Sequence, residues 1–340
     1  MRTLTILFIA TILCDIPKFL KAQTANEYLN SGYAKYKNGD FRGAIMDFSK
    51  AIELNPKEAF AFYNRGLAKS DLRDFPGAIL DYNIAIELNP KYADAFNNRG
   101  NAKNDLSDFP GAILDYNKAI ELNPKDAVAY SNRGKAKRKL VDFHEAILDY
   151  NNAIELNPKF SEAFASRGVA KGKLGDFKGA ILDYNKAIEL NPTDAKAFYN
   201  RGIEKGKLGN FRDEIIDYNK AIELNPKYAE AFVNRGNAKN KLGDLSGAIL
   251  DFNKAIELNP KEAFAFYNRG LAKYGLGDFR GAIFDYNIAI ELNPKFSAAY
   301  YNRGVAKYML KDKNGACLDW RKAGELGEVS AYGTIKEFCN

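Results

Sequence analysis

Three charged residue types recur along this chain at fixed spacing. An arginine stands at Arg65, Arg99, Arg133, Arg167, Arg201, Arg235, Arg269 and Arg303. A lysine follows four residues later, and Lys35 extends that series to a ninth copy, where Ser31 replaces the arginine. An aspartate follows each arginine at a longer constant interval, as in Arg201 with Asp217 and Arg269 with Asp285. A guanidinium pairs with a carboxylate through two parallel hydrogen bonds. The lysine can lay its methylenes along the fold and bring its ammonium to water or to the same carboxylate. Such pairs add little net stability but are costly to break. Recurrence in every copy fits a structural ion-pair ladder better than a lysine ladder for binding anions.

Other chemistry is sparse. His144 is the only histidine, which leaves no imidazole-based triad and no zinc cluster with histidine to spare. Glu145 beside it reads as half of a capping box with Asp142. Gly202–Leu208, "GIEKGKL", resembles a phosphate loop but is one residue short and lacks Ser or Thr after the lysine. The carboxylates repeat with the architecture, so no unique acid–base pair stands out. No catalytic, cofactor or metal residues are expected.

The elements that carry the ladder follow from a second regularity. Asn-Pro recurs at Pro56, Pro90, Pro124, Pro158, Pro192, Pro226, Pro260 and Pro294, always 34 residues apart. A period of that size marks a stack of supersecondary units. Each unit holds two helical patterns separated by Gly-Asp-Phe or a variant, as at Gly175–Phe177. Glycine suits the left-handed end of the first helix and aspartate the N-cap of the second. Proline then closes the second helix. The unit is a helical hairpin.

In the copy from Ala263, Phe266 is followed by Gly270, Ala282, Tyr286, Ala289 and Pro294. At this spacing the chain resembles the tetratricopeptide repeat family, of the exported bacterial type. Copies begin near 25, 59, 93, 127, 161, 195, 229, 263 and 297 and fill residues 23–327. The ninth reads "AGELGE" where Asn-Pro is expected, and residues 328–340 follow as a capping helix that solvates the last stacking face. The resemblance implies an all-α, right-handed superhelical solenoid of nine helix-turn-helix repeats whose concave side, lined by the first helices, holds peptide ligands.

A helical wheel of the first helix at 100° per residue separates two arcs. One arc, with Ala265, Phe266, Arg269, Gly270, Ala272 and Lys273, hardly changes between copies and is the stacking core. The opposite arc varies freely. It carries Lys135, Lys139, Lys173, Lys207 and Lys241 in central copies, and Tyr63, Tyr267 and Tyr301 in outer ones. Asn98, Asn132, Asn200, Asn234 and Asn268 recur at its border, where their amides could bond a ligand backbone or bond within the solenoid. The expected partner is a protein or peptide segment, acidic where the lysines lie. Trp320 occupies a core aromatic position.

Net charge is +7, with basic residues spread evenly, which argues against nucleic acid. Residues 1–22 read as a signal peptide: Arg2, an apolar run from Leu4 to Cys14 too short to span a bilayer, and a small residue at Ala22. Lipidation at Cys14 is a variant of the same reading, and a membrane enters only through this leader. Cys317 and Cys339 could pair in an oxidising compartment, but two buried free thiols are the preferred expectation. The chain is therefore expected to be a non-catalytic interaction scaffold in the periplasm or outside the cell. A cytoplasmic adaptor, or an envelope carbohydrate or cell-wall binder using the groove tyrosines, remains open.

Overall fold

The computed structural model describes residues 24–339. The leader, with Cys14 and Ala22, lies outside them. Every regular element among the described residues is helical. Contacts divide the chain after Leu174 into two compact units.

The first unit runs from α1 (24–37) through α2 (Phe41–Leu54), α3 (Ala59–Asp71), α4 (Phe75–Leu88), α5 (Ala93–Asp105), α6 (Phe109–Leu122), α7 (Ala127–Lys139) and α8 (Phe143–Leu156) to α9 (Ser161–Lys173). The second holds α10 (Phe177–Leu190), α11 (Ala195–Lys207), α12 (Phe211–Leu224), α13 (Ala229–Lys241), α14 (Leu245–Leu258), α15 (Ala263–Gly275), α16 (Phe279–Leu292), α17 (Ser297–Met309), α18 (Lys313–Glu325) and α19 (Val329–Phe338). Within each unit a helix packs on the one before and the one after it.

Local chemistry sets the helix ends. Asp40, Asp74, Asp108, Asp176, Asp244, Asp278 and Asp312 each accept a backbone N–H three residues on, capping the second helix of a hairpin. Asp142 accepts the Glu145 N–H at 3.4 Å, but the expected reciprocal bond is absent. The Asp142 N–H already reaches the Lys137 carbonyl, and the Glu145 carboxylate meets Lys137 instead. The residue before the capping position takes positive φ: Gly175, Gly209, Gly243 and Gly277 in some copies, but Arg73, Ser107, Val141 and Lys311 in others.

The core is built from small residues and one ring per hairpin. Gly66, Gly100 and Gly134 abut the rings of Tyr82, Tyr116 and Tyr150, and Gly270 abuts Tyr286. A Cβ on Gly270 would stand 2.6 Å from the Tyr286 ring, so the first helix must present a bare backbone there. Buried alanines flank each contact, for instance Ala265, Ala272, Ala282 and Ala289. The second helices also expose a large apolar residue at one shared register position. Met46, Leu80, Leu114 and Leu148 in the first unit, and Leu182, Ile216, Leu250, Phe284 and Leu318 in the second, are each between 53% and 72% exposed.

Candidate functional site

The ion-pair ladder sits in the packed layer between the two helices of a hairpin. In repeat six, Arg201 Nε and Nη2 donate to Asp217 at 3.0 and 2.6 Å. Lys205 Nζ adds a contact of 2.8 Å to the same carboxylate, which is 1% exposed. In repeat eight, Arg269 and Lys273 hold the fully buried Asp285 in the same way, at 2.6 and 2.8 Å. Two partners escaped the sequence reading. The remaining guanidinium nitrogen, Nη1, donates to an asparagine on the preceding second helix: Asn185 for Arg201 and Asn253 for Arg269, both at 2.7 Å. The guanidinium carbons also lie 5.3 and 5.4 Å from the ring centres of Phe198 and Phe266, within cation–π range. Each aspartate thus serves its own hairpin, and the asparagine two residues on serves the next. Where the arginine is missing, Ser31 Oγ donates to Asp47 at 2.6 Å and Lys35 approaches it at 2.7 Å.

On the variable arc the tyrosines and several asparagines are spent on each other. Asn98 Nδ2 donates to the Tyr63 hydroxyl, Asn234 to Tyr199 and Asn302 to Tyr267, each at 2.9 Å. Asn132 donates to Asn97 at 3.3 Å. Tyr63 also packs against Tyr92, and Tyr267 against Phe296, with ring centres 4.7 Å apart in both pairs. Burial pushes the Tyr63 hydroxyl up to about 12. Tyr301 shares a 3.2 Å hydrogen bond with Thr334, and its carbonyl accepts the Trp320 indole N–H. These half-buried rings are part of the wall between successive first helices. Asn200 and Asn268 lie half-buried on the same arc.

The lysines are more available, though not uniformly. Lys139 and Lys173 in the first unit, and Lys207 and Lys241 in the second, are exposed. Lys135 is half-buried and paired with Glu162 at 2.7 Å. Lys207 is held by Glu204 at 3.0 Å and sits 4.9 Å from the centre of Phe177, and Lys241 sits 4.7 Å from that of Phe211. Between α11 and α13, a cavity of about 250 Å³ opens beside Lys207 and Lys241, with Glu214 and Tyr218 of α12 in its lining.

At the C-terminal end the expectation of free thiols is overturned. Cys317 and Cys339 form a disulfide. The short α19 packs back on α18 and brings the two Cα atoms to 5.7 Å, a proximity that a separation of 22 residues does not reveal.

Profiles of the tetratricopeptide repeat match residues 32–141, 173–209 and 236–277 in one form, and 127–160, 195–228, 217–249 and 263–296 in others. The chain belongs to the tetratricopeptide repeat family. As such it is a protein-interaction scaffold. Among solved structures, a tetratricopeptide repeat protein from Parabacteroides merdae matches with 22% identity and a TM-score of 0.54, covering 73% of this chain and 99% of its own. Pseudomonas aeruginosa pilF matches with 15% identity and a TM-score of 0.55, over 61% of this chain and 94% of its own. Both show the shared repeat fold. MamA matches with 28% identity and a TM-score of 0.46, covering 48% of this chain and 96% of its own. No curated protein matches the tetratricopeptide array significantly.

Proposed function

We propose that the variable arc of the first helices binds a segment of a partner protein, acidic where it meets the lysines, in the bacterial cell envelope. The carrying observation is the split within one helix. The packing arc repeats its alanines, glycine and ladder, whereas the opposite arc varies along the array, from Tyr63 and Tyr267 in outer copies to Lys139, Lys173, Lys207 and Lys241, all exposed, in central ones. Lys207 and Lys241 lie close to aromatic rings, yet both remain exposed. The binding is non-catalytic in this reading, because the buried carboxylates of the ladder are taken by arginine and lysine. Two features favour the envelope: the apolar run that opens the sequence, and the Cys317–Cys339 disulfide, which suits an oxidising compartment. Tyr63 and Tyr267, half-buried and each accepting a bond from an asparagine, give little support to sugar stacking.

The experiment is a cross-linked pull-down from native envelope, then affinity measurements on two variants, Lys139→Ser with Lys173→Ser and Lys207→Ser with Lys241→Ser. Weaker binding and a flatter salt dependence in either variant are expected, because exposed charges are screened within about 10 Å at 0.1 M salt. Unchanged affinity and salt dependence in both would overturn the groove and point to the exposed apolar series on the second helices. Intact mass of the native protein tests export, and a cytoplasmic form that retains residues 1–22 would exclude it.

A further inference from the structure

Repeat six departs from its siblings at a buried position. Eight second helices carry a fully buried alanine one turn in: Ala44, Ala78, Ala112, Ala146, Ala180, Ala248, Ala282 and Ala316. The ninth has Glu214, only 8% exposed. Oε1 of Glu214 accepts the Tyr218 hydroxyl at 2.9 Å, but Oε2 is buried and accepts nothing. Gly206 makes room for it, since a Cβ there would lie 2.5 Å from Oε2. Burial pushes the Glu214 carboxyl above the usual carboxylate range, against the Tyr218 hydrogen bond and the charge of Lys241. A buried acceptor left without a donor loses the full cost of its desolvation, so a purely structural position would have kept alanine.

The cavity it lines tells what would satisfy it. Lys207, Asn237 and Lys241 share the lining with Glu214. Neither ammonium bridges to Glu214. Lys207 is held by Glu204, and each lysine lies close to an aromatic ring. Glu214 is the one carboxylate in the lining, and Lys207 is already paired with Glu204 outside it. An incoming cation would meet two ammonium groups, and an anion would meet Glu214. A neutral group that both donates N–H and accepts at oxygen meets neither obstacle.

The first unit offers an independent parallel. Three repeats earlier in sequence, a cavity of about 300 Å³ is lined by Asn104, Tyr116, Asn132 and Lys135. Asn104 occupies the register position of Gly206, and its Oδ1 is also buried without a donor. In both units the unmet acceptor falls between two successive first helices, beside the core tyrosine.

Building on the proposed groove, we propose that the cavity between α11 and α13 takes the side-chain carboxamide of a glutamine or asparagine from the bound segment. Its N–H donates to Glu214 Oε2, and its carbonyl accepts from Lys241 or Asn237. The test titrates the full chain with four capped tripeptides, acetyl-Ala-Xaa-Ala dimethylamide, where Xaa is Gln, Ala, Lys or Glu, so that only the glutamine probe carries a primary carboxamide. The variant is Glu214→Ala, which installs the residue of the other eight repeats and so keeps the fold. The glutamine probe should bind wild type at least about tenfold more tightly than the alanine probe, and Glu214→Ala should erase that preference. Equal binding of glutamine and alanine probes overturns the proposal, as does a preference that survives Glu214→Ala. A lysine probe that binds best overturns it in favour of a cation site. Uniform weakening of all four probes in the variant overturns it in favour of backbone amide recognition. Failure of the wider groove is distinguishable: there the lysine-to-serine variants leave partner affinity unchanged, whatever the probes show.

Discussion

Repeats six and eight lie in the same unit and share the same ladder, yet the second helix of repeat six buries a carboxylate outside the ladder and that of repeat eight does not. Arg201, Lys205 and Asp217 match Arg269, Lys273 and Asp285 to within about 0.1 Å in their contacts. Where repeat eight has Ala272 and Ala282, repeat six has Glu204 and Glu214, both buried. The change lies in the packed layer itself, and the ladder does not register it. Helix geometry and local chemistry are thus separable within one hairpin: the ladder and the glycine–tyrosine contact fix how the helices meet, and neighbouring positions are left to alter their chemistry.

That separation can be attacked from its strongest point. Asp217→Ala and Asp285→Ala each strand an arginine and a lysine in a buried layer and should cost about 3–5 kcal/mol. Native-state amide exchange on the full chain is the measurement, since a repeat array need not melt as one unit. Equal losses in repeats six and eight keep the two functions apart, and a markedly smaller loss in repeat six would tie the ladder to Glu214.

The C-terminal clasp is the next largest. Replacing Cys317 and Cys339 by serine opens a link across 22 residues and should lower protection of α19 by about 3 kcal/mol, with little effect in α11 or α15. A loss that spreads to repeat eight would mean that the end of the unit stabilises its interior.

Glu214→Ala should stabilise repeat six by about 1–3 kcal/mol at neutral pH, because it removes an unmet acceptor. The sign with pH follows from the raised folded pKa. Between the unfolded and folded values the native state binds more protons, so wild-type stability falls as pH rises through that window. The advantage of alanine should therefore be largest above the folded value and vanish below about pH 4. A pH-independent gain would mean that the carboxyl does not titrate across this range, and the matching Ala282→Glu change in repeat eight should destabilise in the same direction.

The smallest effect concerns the turn. Repeat six has Gly209 at positive φ where repeat four has Val141 at φ 64. A β-branched residue is strained there, so Val141→Gly should stabilise its hairpin by about 1 kcal/mol, read from exchange of α7 and α8. No gain would show that the neighbouring bonds already absorb the strain.

Much of this was legible from one copy laid over another. Helix limits follow from capping aspartates and Asn-Pro, and the pairing of Arg201 with Asp217 follows from shared recurrence. The asparagine arm of the ladder was less visible, although Asp-Tyr-Asn recurs as a block, because a wheel drawn on one helix cannot show a partner supplied by the hairpin before. The same limit placed Tyr63 and Tyr267 in open groove: the groups that cover them, Asn98 with Tyr92 and Asn302 with Phe296, come from the next first helix and the residue that caps it. Glu214 stood out in the sequence as "FRDEIID" against "FRGAIFD", but only burial gives the substitution a meaning.

The third arm of the ladder also sets a rule for how such a chain can change length. Each arginine from Arg99 to Arg303 donates one bond to an asparagine of the preceding hairpin, and Arg65 donates it to Ser49. Duplicating or deleting a whole 34-residue stretch gives every guanidinium an equivalent donor-receiving neighbour, whereas any other insertion strands at least one. The two outermost copies are the exceptions, with Ser31 in place of the arginine and Arg321 in place of the asparagine. Recombination among near-identical copies can therefore lengthen or shorten the interior in steps of one hairpin while the terminal copies stay in place, so the length of the array is inherited as an integer.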